Sequence, residues 1–196
     1  MRRRFSFLAA GPALAAALWG CGIAENLVQT TRLELQGRDV LVNGTLNARS
    51  LAQFSAFMSR HPEAERLVLL DMPGSADDET NLRLGHLVRD LGLDTHVTAA
   101  SEIYSGAVDI FLAGRERTME DGAILGVHAW AGDKPAGAYP PSHPEHAPYV
   151  AYTTRMLGSD DFYWFTIQAA PATDIHEMTE AEVNRYGLLT KPVLRD

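Results

Sequence analysis

The stretch from Thr95 to Trp130 constrains the fold more than any other part of the chain. A short alternating run around Val97 predicts a strand, followed by a turn over residues 99–102. Small and apolar residues then predict a helix that begins near Tyr104 and is closed by Gly114, since glycine is the usual residue just past a helix end. The apolar run 124–127 predicts a second strand. A strand, a helix and a strand therefore follow one another.

This pattern places Ser105 at the start of a helix and His128 at the end of a strand. A helix start offers free backbone N–H groups and the positive end of the macrodipole, and both favour an alkoxide and its tetrahedral adduct. Serine is also a preferred N-cap. Ser105 is therefore either a nucleophile paired with His128 or a simple helix cap.

The preceding part of the chain repeats the same alternation. The continuous apolar run Arg66–Asp71 is typical of a strand buried on both faces of a parallel sheet. A glycine-bearing turn follows it, and leucines at helical spacing between Asn81 and Leu91 predict a helix. Alternating polar and apolar residues in Thr31–Gly44 predict a hairpin before them. Alternating strands and helices indicate an α/β fold with a mostly parallel sheet.

The turn after that buried strand can take part in chemistry. Pro73-Gly74 fixes a sharp turn and exposes backbone N–H groups that could receive an oxyanion. The alternative is an ordinary strand-to-helix turn.

The N-terminus has the pattern of an export signal. Arginines 2–4 precede an apolar run, Phe5–Trp19, that is too short to span a bilayer comfortably. Leu18-Trp19-Gly20-Cys21 resembles the bacterial lipobox, which predicts lipidation at Cys21. We therefore expect a signal peptide over 1–20, a linker over 21–32, one domain over 33–196, and a periplasmic lipoprotein anchored to a membrane of the bacterial cell envelope.

Composition excludes several other classes. The formal net charge is −8 and no basic stripe is present, so nucleic acid is not an expected partner. Cys21 is the only cysteine, so a disulfide, a thiolate metal site and a cysteine nucleophile are not expected. His143 and His146 could touch a metal, but Pro144 prevents a regular helix from aligning them. Neither a metal nor a cofactor is predicted.

Several short motifs, in their order and spacing, resemble the proteolytic subunit of the Clp protease within the Clp/crotonase superfamily, and more closely its exported bacterial relatives. The resemblance covers roughly residues 33–190. The matching segments are Leu69–Ser75, Tyr104–Ala107 with Leu112–Gly114, Gly126–His128, and Glu180–Leu188. It implies a spiral of ββα units.

The resemblance also implies roles for individual residues. Ser105 falls at the position of the nucleophile and His128 at that of the general base. The backbone N–H groups of Gly74 and Gly106 fall at the oxyanion hole. The third member of the triad is an aspartate, for which Asp174 is the nearest match, with Asp160 and Asp161 as weaker candidates.

The chain departs from the peptidase pattern at three places. Ser75 stands where a second glycine follows the proline, and Tyr104 precedes the nucleophile position, which is usually flanked by small residues. Lys134–Tyr149 replaces the helix-and-strand handle that stacks peptidase rings, which argues against such stacking but leaves a homo-oligomer open.

The sequence therefore predicts an exported serine hydrolase, peptidase-like, that acts on an unknown peptide or protein through Ser105, His128 and Asp174. A lysine base is not expected, because Lys134 and Lys191, the only lysines, lie in no motif. The alternative is a non-catalytic binding or scaffold protein of the envelope that keeps the same fold.

Overall fold

A computed structural model of the chain describes residues 30–195. The predicted signal peptide and Cys21 lie outside the described residues, so the lipidation of Cys21 stays a prediction.

One mixed sheet forms the centre of the molecule. Its seven strands are β1 (Arg32–Gln36), β2 (Asp39–Asn43), β3 (Arg66–Met72), β4 (Asp94–Tyr104), β5 (Arg117–Met119), β6 (Ile124–Val127) and β7 (His176–Glu177). The spatial order is β1-β2-β3-β4-β6-β7, and β5 pairs with the first half of β4. The central pairings are parallel, whereas β1 and β7 run antiparallel to their neighbours. The predicted α/β class and mostly parallel sheet are confirmed.

Six helices surround this sheet in the described part of the chain. They are α1 (Ser50–Arg60), α2 (Asp78–Asp90), α3 (Gly106–Leu112), α4 (Ala147–Leu157), α5 (Asp161–Ala169) and α6 (Glu180–Arg185). Two short 3₁₀ turns, Ala136–Ala138 and Pro144–His146, precede α4. Between residues 30 and 195, no helix combines the length and the apolar character that crossing a bilayer requires.

The first predicted units are confirmed. The hairpin pairs Gln36 with Asp39 across a turn in which Gly37 has φ 65°, a conformation that favours glycine. The predicted unit of strand, glycine turn and helix corresponds to β3, the turn after it and α2. Asp77 is the N-cap of α2, and its side chain accepts a hydrogen bond from Thr80 N–H.

The predicted turn over residues 99–102 is wrong, because β4 continues through it to Tyr104. The pairing with β3 shifts register between Leu69 and Asp71. Ser101 is buried at this shift, donates a hydrogen bond to Leu69 O at 2.6 Å and accepts one from Thr98 N–H at 2.9 Å. The serine hydroxyl therefore satisfies backbone groups that the irregular ladder leaves unpaired.

The sequence of the C-terminal segment predicts a helix with a capping box of Thr179 and Glu182, followed by a short strand over 188–190, and only the helix is confirmed. Thr179 and Glu182 form the predicted capping box at the start of α6. The predicted strand over 188–190 is wrong, since these residues join no ladder. Instead the buried Arg117 guanidinium donates hydrogen bonds to the carbonyls of Leu188 at 2.6 Å and Gly187 at 3.2 Å, which holds this segment by a side chain.

Candidate active site

Three neighbouring strands deliver the candidate residues to one edge of the sheet. The parallel strands β3, β4 and β6 pair Met72 with Ile103 and Tyr104 with Gly126 near their carboxyl ends. Chain segments that leave parallel strands at one edge lie close together, and ligands commonly bind there. The turn after β3, the start of α3 and the residue after β6 therefore meet.

Ser105 has an unusual backbone. Its φ is 53° and its ψ is −125°, and it is the one non-glycine residue with positive φ among residues 30–195. Its N–H donates to Gly126 O at 2.8 Å, which fixes the turn between β4 and α3. The Ser105 hydroxyl makes no capping hydrogen bond. The interpretation of Ser105 as a simple helix cap therefore lacks the contact that defines a cap.

Gly74 lies directly against Ser105. It is buried and has φ 128°, and a Cβ added there would lie 3.1 Å from Ser105 Cβ and 3.7 Å from Ser105 Oγ. Only glycine fits this approach and this backbone conformation without strain.

Gly106 is just as confined, because an added Cβ would lie 2.6 Å from Ser75 Cβ and 2.8 Å from Asn81 Nδ2. The N–H groups of Gly74 and Gly106 donate no hydrogen bond to any residue between 30 and 195. Two free donors therefore flank the Ser105 hydroxyl, as an oxyanion hole requires.

His128 follows β6 and is half-buried. Its Nδ1 lies 2.9 Å from the carbonyl oxygen of Ala129, which can only accept, so we assign the proton to Nδ1. That tautomer leaves the lone pair of Nε2 free to act as a base. No hydrogen bond joins the His128 ring to Ser105 Oγ in the described part of the chain, although both side chains line one cavity.

Asp174 makes no hydrogen bond with His128 in the described part of the chain. It is exposed, and its carboxylate accepts a hydrogen bond from the Ile175 N–H at 2.9 Å. Asp160 accepts from Trp164 Nε1 at 2.8 Å, and Asp161 accepts from the neighbouring Ser159 hydroxyl. The group that meets the histidine ring is thus a backbone carbonyl and none of the three predicted aspartates.

A cavity of about 370 Å³ opens beside Ser105. Its lining contains two carboxylates, several aromatic rings and no Lys or Arg. The lining residues are Ser75, Asp78, Leu82, Ser105, Gly106, Val108, Asp109, Val127, His128, Trp130, Ala131, Tyr149, Tyr152, Thr153, Phe162, Tyr163, Thr166 and Ala172.

Asp109 is a strongly perturbed carboxyl group of the cavity, and the sequence did not single it out. Burial, together with the negative charge of Asp78, raises the pKa of Asp109 to about 8. Among the described residues, the Asp109 carboxyl group has one hydrogen-bond contact, in which Nδ2 of Asn81 lies 3.5 Å from Oδ2. The signal in the sequence was a lone carboxylate in the otherwise apolar helix α3, one turn after Ser105.

Aromatic rings build one wall of the cavity. Tyr149 stacks between Trp130, at 5.6 Å between centroids, and Tyr163, at 5.7 Å. The Tyr163 hydroxyl accepts from Trp130 Nε1 at 2.9 Å and meets Nδ1 of the buried His146 at 2.5 Å. The segment 134–149 therefore packs against the body of the molecule here.

The two loop histidines do not face a common site. His146 contacts Tyr163, whereas Nδ1 of His143 accepts from Glu145 N–H. The described residues contain no group of three or more His, Cys, Asp or Glu side chains that could hold a metal ion.

The departures from the peptidase pattern are accommodated locally. The ring of Tyr104 packs over Gly126, where an added Cβ would lie 2.3 Å from Tyr104 Cδ1. The Ser75 hydroxyl turns toward Asp77, donating to its carbonyl oxygen at 2.9 Å. Neither side chain makes a hydrogen bond with Ser105.

Solved structures of other proteins share the fold of this chain. No family model matches the chain, and a search of curated proteins finds no match. An enoyl-CoA hydratase/isomerase from Marinobacter aquaeolei is similar over 86% of this chain and 72% of its own, with a TM-score of 0.57 and 11% identity. A membrane-bound stomatin-specific protease is similar over 80% of this chain and 78% of its own, with a TM-score of 0.54 and 16% identity.

A further solved structure, an enoyl-CoA hydratase from Bacillus anthracis, is similar over 82% of this chain and 69% of its own, with a TM-score of 0.53 and 13% identity. At such low identities the likeness concerns the fold alone. The chain has the Clp/crotonase-like fold, which hydratases and a protease share.

Proposed function

We propose that this protein is a serine hydrolase of the peptidase type that cleaves a peptide or similar acyl bond. One observation carries the proposal: Ser105 has a strained backbone, its hydroxyl makes no capping contact, and it lies against Gly74 and next to Gly106, whose N–H groups donate no hydrogen bond to the described residues. Strained residues of this kind concentrate at functional sites. The structure of the stomatin-specific protease with a substrate peptide lends support from the same fold.

In the proposed reaction the Ser105 oxygen attacks the carbonyl carbon while its proton passes to Nε2 of His128. The negative charge on the carbonyl oxygen is stabilised by the N–H groups of Gly74 and Gly106. The bond to the leaving group then breaks, and His128 returns the proton to that group. A water molecule then attacks the acyl carbon and gives a proton to His128. The bond to the Ser105 oxygen breaks, the acid is released, and His128 returns the proton to Ser105.

The third role has two candidates. The carbonyl of Ala129, 2.9 Å from Nδ1, already holds the histidine in the tautomer that a base requires. Asp174 makes no hydrogen bond to His128 here, and to take this role its carboxylate would have to turn from Ile175 N–H toward the histidine ring. Catalytic hydrogen bonds are often long before substrate binds, which is also our account of the open Ser105–His128 pair.

The charge of the cavity favours hydrolysis over the chemistry of the hydratases with the same fold. Asp78 and Asp109 line the cavity, and its lining has no Lys or Arg. A cavity of this charge does not suit a substrate that carries phosphate groups.

A fluorophosphonate probe tests the proposal. We expect it to label the purified protein at one site, Ser105→Ala to abolish labelling and His128→Ala to reduce it strongly, with both variants folded. The matched control is Ser159→Ala, which removes an exposed hydroxyl outside the cavity and should leave labelling unchanged. A wild-type protein that stays unlabelled would favour the non-catalytic envelope protein.

We further propose that the protein is exported and anchored by an acyl chain on Cys21. The support is the sequence pattern alone, Leu18-Trp19-Gly20 before the one cysteine. Labelled palmitate should enter the wild-type protein in bacterial cells, and Cys21→Ser should remain unlabelled. A wild-type protein that takes up no label would replace the anchor with plain secretion.

A further inference from the structure

The carboxyl group of Asp109 is half-buried at the cavity wall and has no close partner among the described residues. Its contact with Asn81 Nδ2, at 3.5 Å, is long, and no ion pair of Asp109 occurs within residues 30–195. A buried carboxylate without a hydrogen-bonded or charged partner is costly. Asp109 lines the cavity beside Ser105, so a cation bound in the cavity would supply the missing partner.

The remaining lining fits a cation on a long apolar stem. Asp78 adds a second carboxylate, and its Oδ2 accepts from the Tyr149 hydroxyl at 2.9 Å. Leu82, Val108 and Phe162 provide apolar walls. Lysine and arginine side chains bury their methylene groups along such walls while a polar partner meets the charged end.

We propose that this cavity binds a long aliphatic chain that ends in a cation, of the kind carried by a lysine or arginine side chain, with its charge beside Asp109 and Asp78. This inference rests on the proposed function, so the aliphatic chain is the side chain of the substrate residue that supplies the scissile carbonyl. An aspartate in the specificity pocket selects basic side chains in trypsin by the same physical principle.

The alternative occupant is an uncharged aliphatic chain. The raised pKa of Asp109, about 8, keeps the Asp109 carboxyl group largely protonated near neutral pH. Cation binding must then displace the proton, so selectivity for a cation should rise as the pH rises through this range. The groups that face Asp109 are Asp78 and Asn81 from α2 and Tyr149 and Tyr152 from α4. The Tyr152 hydroxyl donates to the Asp109 carbonyl.

Two phosphonate probes that differ only at the end of the side chain measure this selectivity. One carries an aminobutyl side chain, as in lysine, and the other a butyl side chain, as in norleucine. We expect the lysine-type probe to label about tenfold faster at about pH 9 and the difference to shrink at about pH 6. The ratio of the two rates cancels any pH dependence of the bond-forming step, which both reactions share.

Two variants assign the effect to one carboxylate. Asp109→Asn keeps the shape of the neutral acid, so we expect it to stay folded and to lose the preference. Asp133→Asn removes an exposed carboxylate outside the cavity lining and should keep it. Equal rates in the wild type, or a preference unchanged in Asp109→Asn, would overturn the inference.

A binding measurement separates this inference from hydrolysis. The Ser105→Ala variant, titrated calorimetrically with 1-hexylamine and 1-hexanol at about pH 9, should bind the amine more tightly, and a further Asp109→Asn change should remove the difference. Such binding without fluorophosphonate labelling of the wild type would refute the hydrolase and support the cavity. Labelling without any preference for the amine would refute the cavity and leave the hydrolase standing.

Discussion

At the scale of single residues, the strained backbone of Ser105 is the main feature of the candidate site. A non-glycine residue at φ 53° and ψ −125° is held in a sparsely populated conformation, which costs on the order of 1–3 kcal/mol. No capping hydrogen bond of the Ser105 hydroxyl offsets that cost. The strained turn holds Ser105 against Gly74 and next to Gly106, so under the proposed function the strain serves catalysis and not stability.

Substitutions at Ser105 test this separation of roles. We expect Ser105→Gly to raise the free energy of unfolding by about 1 kcal/mol, because glycine adopts positive φ without strain. Ser105→Ala should change it by less than about 0.5 kcal/mol, whereas a lost N-cap costs about 1 kcal/mol. The measurement is urea unfolding, and both variants should lose fluorophosphonate labelling.

Ser50 is the matched control for this prediction. Ser50 also lies at a helix start, but its buried hydroxyl accepts from Asn47 N–H at 2.9 Å and pairs with the Thr31 hydroxyl at 2.8 Å. Ser50→Ala should therefore destabilise the protein by about 1–2 kcal/mol. An equal loss of stability in Ser105→Ala would return Ser105 to the role of a cap.

Asp174→Asn distinguishes the two candidates that could orient His128. We expect the labelling rate to fall by less than about tenfold, because the carbonyl of Ala129 already holds Nδ1–H. Asp161→Asn, another exposed carboxylate near the cavity, serves as the comparison. A loss of about a hundredfold or more in Asp174→Asn alone would show that its segment moves and that Asp174 completes the triad.

At the scale of elements, periodicity predicted the parts whose burial is regular. The apolar run of β3 and the leucine spacing of α2 needed no tertiary information. The second half of β4 could not be predicted, because Ala99–Glu102 shows no apolar alternation and is held by pairing with β3 and by the hydroxyl of Ser101. Pairing between distant strands overrides local pattern there.

The candidate site follows the same division. Gly74 and His128 were predicted from their places at the ends of strands and Ser105 from its place at the start of a helix, and the three do meet at one edge of the sheet. Asp109 was missed because a charged residue in a short apolar helix carries no sign of which way it faces. The contact of His128 with the carbonyl of Ala129 was also out of reach, since a backbone acceptor leaves no trace in the sequence.

Arg117 anchors the C-terminal segment to β5. Its buried guanidinium donates to the carbonyls of Gly114, Gly187 and Leu188, and burial lowers its pKa to about 10. Arg117→Lys should lower the free energy of unfolding by about 2–4 kcal/mol, because lysine cannot reproduce the planar fork and leaves buried acceptors unpaired. The control is Arg115→Lys at a largely exposed position, and similar thermal denaturation of the two variants would contradict the anchoring role.

At the scale of the whole molecule, the cavity couples function to stability through one carboxyl group. Folding encloses Asp109 between α2, α3 and α4 and raises its pKa from 3.8 to about 8. The folded protein therefore keeps a proton that the unfolded chain has already released over this range. The contribution of Asp109 to the free energy of unfolding is therefore greatest below about pH 4 and declines as the pH rises through about 8.

Asp109→Asn should remove this dependence. Because the amide resembles the neutral acid and cannot ionise, the variant should match the wild type near pH 4 and become the more stable of the two, by a few kcal/mol at most, near pH 8. Chemical denaturation of both proteins from about pH 4 to about pH 9 measures the difference. Subtracting one stability curve from the other cancels the contributions of Glu120 and Glu182. Their lowered pKa values change stability in the opposite direction, and equally in both proteins. Stability curves that stay parallel would mean that Asp109 has the same pKa in the folded and the unfolded protein. The Asp109 carboxylate would then have a partner in the folded protein besides Asn81.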